Sequence, residues 1–83
     1  MKQYVYEFEM YEDKDSSYWV VDPIGLGGAT EGYSRADAID MAADWLYITI
    51  EDMLENKKEI PKPIYGSELK HKNSERLVVS VSL

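Results

Sequence analysis

Four glycines, Gly25, Gly27, Gly28 and Gly32, stand ahead of a helix-forming segment in "GLGGATEGYSRADAIDMAADW". Glycine-rich turns that lead into a helix often cradle phosphate, because the first N–H groups of the helix have no partner within it. A dinucleotide fingerprint needs Gly-x-Gly-x-x-Gly, and reading from Gly25 puts Thr30 at the third glycine. A phosphate loop needs a lysine after its second glycine. Reading from Gly27 gives Gly32 and then Tyr33. Glu31 and Asp37 also add negative charge where a phosphate needs positive potential. The glycines are expected to turn the chain, with no cofactor bound.

Other chemistry has few residues to work with. There is no cysteine and a single histidine, His71, in a polar stretch with lysines. Thiolate nucleophiles, disulfides and the usual zinc ligand sets are excluded, and His71 is expected at the surface. The carboxylates of Glu7, Glu9, Asp22 and Glu31 are the remaining candidates for a magnesium site. No spacing rule selects them, so they are expected as outward-facing strand charges. A metal-dependent nuclease is the enzyme alternative, and a non-enzymatic role is preferred.

The charge is uneven. Residues 1–55 carry 13 acidic and 3 basic side chains, and residues 56–83 carry 3 acidic and 6 basic ones, for a net charge of −7. An acidic body repels nucleic acid and attracts basic partners. The absence of cysteine fits a cytoplasmic setting. With 83 residues and 45% hydrophobic side chains, the chain is expected to form a single domain.

These residues need elements to position them. In "YVYEFEMYE", Tyr4, Tyr6, Phe8 and Met10 alternate with Val5, Glu7 and Glu9, the period of a strand with one buried face. "DKDSS" is a turn and "YWVVD" a second strand, ended or edged by Pro23. "GATEG" is a short third strand. Ser34 is the expected N-cap of a helix from about Arg35 to Glu55, with Asp37 reaching back over its first turn. Ile39, Ala42, Ala43, Leu46, Ile50 and Met53 share the face expected in the core. "KPIYGSELKHKNSER" is a polar connection, and "RLVVSVSL" is the last strand. The fold class is α+β, in the order β-β-β-α-β, with one long helix on an antiparallel sheet.

Two features of the helix point to a partner. Asp37 to Glu55 carries six acidic residues and no Lys or Arg, whereas surface helices usually mix signs. Met41, Trp45 and Ile48 form a stripe between its buried and acidic faces. An aromatic anchor with an acidic rim suits a protein interface. The expected partner-binding residues are therefore Met41, Trp45 and Ile48, with Asp44, Glu51 and Asp52 around them. Glu12, Asp13 and Asp15 of the hairpin form a weaker second patch. Sheet edges, the apolar last strand and the helix flank favour a homo-oligomer, dimer or tetramer.

The run from Tyr18 to Pro63 closely resembles the N-terminal domain of HicB-type antitoxins. The likeness rests on Pro23, Gly27, Thr30, Gly32, Ala38, Ala42 and Leu46, and on Ile60-Pro61-Lys62-Pro63, in order and at matching spacings. The opening hairpin is similar too. The resemblance implies a partial ribonuclease-H-like fold. It also implies an antitoxin of a type II toxin–antitoxin system, which binds and neutralises a small basic HicA-type toxin, an mRNA-cleaving ribonuclease. Ile64 departs from the serine usual after the second proline. Family members commonly carry a C-terminal ribbon-helix-helix or helix-turn-helix module. The 83 residues are expected to hold the antitoxin-like domain without that module, so operator binding is not expected of them. A standalone oligomeric interaction domain with no toxin is the alternative from a different class.

Overall fold

The computed structural model describes all 83 residues. Its elements are β1 (Gln3–Glu12), β2 (Trp19–Pro23), β3 (Thr30–Gly32), α1 (Arg35–Glu55) and β4 (Glu75–Ser82). The strands form one antiparallel sheet in the order β3-β2-β1-β4, with α1 packed on one face. This is the α+β architecture expected from the element order. No helix is long and apolar enough to cross a membrane.

Alternation along the strands sorts the two faces. Tyr6, Phe8 and Met10 of β1, Val21 of β2, and Val79 and Val81 of β4 are buried beneath α1. The helix contributes Ala38, Ala42, Leu46 and Ile50 to this core, with Ile39, Ala43 and Met53 partly buried beside them. Ala38 joins the core because Gly32 leaves room for it. A Cβ on Gly32 would lie 2.4 Å from the Ala38 backbone nitrogen. Pro23 sits inside β2 at its last position, opposite Phe8. Its missing N–H costs no ladder bond, because β3 begins opposite Val21 and does not extend beside Pro23.

The start of the helix follows the local signals. Ser34 is extended, and its hydroxyl accepts a bond of 3.0 Å from the Asp37 N–H. The Asp37 carboxylate reaches back to the Tyr33 N–H at 2.9 Å, one residue beyond the cap itself. Ser34→Ala is expected to lower stability by about 0.5–2 kcal/mol, read from the urea midpoint. A change below the resolution of that measurement would show that Asp37 alone holds the helix start.

The second face of the sheet is covered over β1, while Val78, Ser80 and Ser82 of β4 stay exposed on it. The chain leaves α1 at Asn56 and runs through Ile60 and Pro61. It then crosses this face as an irregular strap, residues 64–74, before entering β4. The Tyr65 hydroxyl donates to the Val5 carbonyl at 2.9 Å, where β2 no longer reaches. The Gly66 N–H donates to Glu7 at 2.9 Å, and the Lys70 and His71 N–H groups donate to Glu9 at 3.1 and 2.7 Å. The His71 ring stacks on Tyr11 with centroids 3.9 Å apart.

This corrects the reading of the strand carboxylates. Glu9 is only 4% exposed, so it is not an outward-facing charge. Burial alone would raise its pKa. The His71 and Lys70 N–H groups and the Ser74 and His71 side chains outweigh that, and hold Glu9 below its ordinary value. Glu7 is likewise engaged, by Arg76 at 2.8 Å and by Gly66. Both carboxylates are fastenings for the strap.

Candidate functional site

The helix presents its charged face as expected. Asp44 and Asp52 are exposed and Glu51 is half-buried, while Met41 is exposed and Ile48 is 63% exposed. Asp52 is partly engaged at the end of the helix, accepting from the Asn56 amide at 2.9 Å and lying 3.5 Å from Lys58.

Trp45 points elsewhere. Its ring packs edge-on against Phe8, with centroids 6.0 Å apart, and it lies over Gly28. A Cβ on Gly28 would come within 2.9 Å of the indole, and the φ of Gly28 is +81°, a region that L side chains rarely adopt. The glycine turn therefore makes room for the indole, which closes the core at the side of β2 and β3. The apolar stripe of the helix splits into an exposed pair, Met41 and Ile48, and an inward tryptophan.

The structure does not bring the two expected patches together. Asp13 spends its carboxylate on the hairpin turn, accepting from the Asp15 N–H at 3.1 Å and the Ser16 hydroxyl at 3.0 Å. Glu12 and Asp15 are exposed beside it. The hairpin tip lies by the start of α1, because Trp19 pairs with Gly32 just ahead of the N-cap. Glu51 and Asp52 lie near the other end of the helix, roughly 25 Å away along its axis at the standard rise.

A groove of about 270 Å³ joins the hairpin to the helix start, lined by Tyr18, Glu31, Gly32, Tyr33, Asp37 and Met41. Tyr18 and Tyr33 meet edge to face with centroids 5.4 Å apart, and Tyr33 is 81% exposed. Two carboxylates, Glu31 and Asp37, border these rings, and no Lys or Arg lines the groove. Aromatic faces and carboxylates without a resident cation suit the guanidinium or ammonium group of a partner's side chain. Of the expected residues only Met41 lies here. Tyr18, Tyr33, Glu31 and Asp37 escaped the sequence reading as a group. One signal was available: Tyr33 precedes the N-cap, where an apolar side chain normally staples to the fourth helical residue, and here that residue is Ala38. A tyrosine with so small a partner is left outside.

A second cleft, of about 420 Å³, opens where the strap crosses the sheet, with Glu9, Asp22, Glu68 and Lys70 among its lining residues. Its deepest carboxylate, Glu9, is already bonded to the strap. No group of three or more His, Asp or Glu side chains is placed to hold a metal ion. No protein family, curated protein or solved structure matches the chain.

Proposed function

We propose that this chain is a cytoplasmic antitoxin of the HicB type, which binds and neutralises a small basic HicA-type toxin through its acidic and aromatic surface. The observation that carries the reading is the Tyr18–Tyr33–Met41 groove with its Glu31 and Asp37 rim and no cation of its own. The acidic outer face of α1 extends this field toward Asp44 and Glu51. The β-β-β-α-β order supports the same reading, since it is the order that the resemblance implies. A metal-dependent nuclease is less favoured, because Glu7 and Glu9 are occupied by donors from the strap.

The test is binding kinetics against the small basic product of a neighbouring reading frame. Asp44→Lys with Glu51→Lys is expected to slow association and flatten its salt dependence, because rim charges act mainly on encounter. Tyr33→Ala with Met41→Ala is expected to speed dissociation by about 30-fold, the size of a hot-spot loss of about 2 kcal/mol. Trp45→Ala is expected to lower the melting temperature first, since its ring packs on Phe8. Unchanged rates in folded variants, or no binding at all, would overturn the reading.

A further inference from the structure

We infer that the free edge of β4 pairs antiparallel with β4 of a second copy, in a register centred on Val78, and joins two sheets into one. The inference is independent of the proposed antitoxin role. It starts from the hydrogen-bond pattern. Lys2 and Leu83 exchange both backbone bonds, at 2.8 and 2.9 Å, so Val81, Val79, Leu77 and Glu75 also face β1 with their backbone groups. Arg76, Val78, Ser80 and Ser82 then direct their N–H and C=O groups outward along the sheet edge.

That edge lacks the usual protections. β4 has eight residues, with no proline, no lysine and an unbroken register against β1. Long edge strands are normally blocked by such devices, because their open groups invite another strand. The opposite edge, β3, has three residues. On β4 the Val78 side chain is 58% exposed.

Charge selects a second copy as the occupant. Two chains of net charge −7 repel over most of their surfaces. The β4 edge is the exception, because its two charged residues are neutralised within the chain. Glu75 pairs with Arg35 at 2.6 Å, and Arg76 pairs with Glu7 at 2.8 Å. Beyond them, Leu77 to Ser82 are only Leu, Val and Ser.

A two-fold axis through Val78 sets Val78 against Val78 of the second copy, and Arg76 against Ser80 on either side. Each of these pairs has outward backbone groups, so each exchanges two bonds. The axis stands perpendicular to the sheet and keeps both helices on one face. Trp45 marks the helix flank toward Gly28 and β3, so the other flank, with the exposed Tyr47 and Leu54, overhangs β4. Those two side chains approach their counterparts across the axis.

Light scattering on the purified chain at tens of micromolar is expected to give twice the 9.6 kDa chain mass. Val78→Lys and Val78→Glu are each expected to weaken the dimer at least about tenfold, because like charges then face each other directly. An equimolar mixture of the two is expected to dimerise again. Val78→Cys supplies the only thiol in the chain, and opposed residues in such a pair have Cα atoms about 5.5 Å apart, within reach of a disulfide. Mild oxidation is expected to convert that variant to a covalent dimer, which also serves if a charged variant fails to fold. A wild-type monomer at this concentration, a dimer indifferent to charge at Val78, or no cross-linking would overturn the inference. A β4 edge used only by a strand of another protein would appear as the first of these.

Discussion

Gly32→Ala is expected to destabilise the fold by about 3 kcal/mol, near the upper end for an added methyl group in a packed site. The new Cβ would meet the backbone of α1, 2.4 Å from the Ala38 nitrogen and 2.7 Å from its Cα. Neither atom can turn aside as a side chain does. Either the first turn of the helix lifts from the sheet, or β3 is pushed off β2. Gly32 does not have a positive φ, so this cost is steric. Urea unfolding at constant slope measures it. A loss under about 1 kcal/mol would show that the helix start slides over β3 at little cost.

The second large effect is expected at Glu9. Glu9→Ala leaves the Lys70 and His71 N–H groups without their acceptor in a half-buried place. The expected loss is about 3 kcal/mol, the upper range for bonds to a charged acceptor. The effect depends on pH with a definite sign. The pKa of folded Glu9 lies below its ordinary 4.5, so its stabilising contribution is complete above that pH. It declines as pH falls below 4.5 and through the lower folded value. Thermal melting of the native chain should therefore fall through this acid range, and Glu9→Gln should flatten that part of the curve. A variant with the same acid limb as the native chain would mean that other carboxylates set it.

What could be read from the sequence was what depends on near neighbours. The cap at Ser34, the limits of α1 and the alternation of β1 follow from residues within a turn or two, and they appear in the structure as expected. The strap could not be read, because residues 64–74 have no periodicity and are held by Glu7 and Glu9, some sixty positions earlier. The same distance in sequence misled the reading of those carboxylates. A glutamate alternating outward on a strand looks solvated until the segment that covers it is known. The candidate site was partly legible for a related reason. Helical spacing placed Met41, Trp45 and Ile48 together, but the direction of Trp45 depends on the space above Gly28. The Tyr18–Tyr33 contact depends on β2 and β3 pairing, which no local pattern reveals.

The central position of β1 also dictates an order of events during folding. On one side β1 pairs with β2 across a turn of a few residues, a hairpin that closes in about 1–10 μs. On the other side it must wait for β4, which pairs Gln3 with Ser82 and lies beyond the helix and the strap. Closing so long a loop is entropically costly, and such non-local pairing slows folding. While the chain is being made, the hairpin and helix can therefore assemble with one side of β1 still unpaired. Tyr6 and Phe8 then lie at a temporary edge until β4 leaves the ribosome. The strap precedes β4 in the chain, so its bonds to Glu7 and Glu9 must close a loop almost as long as the one β4 closes.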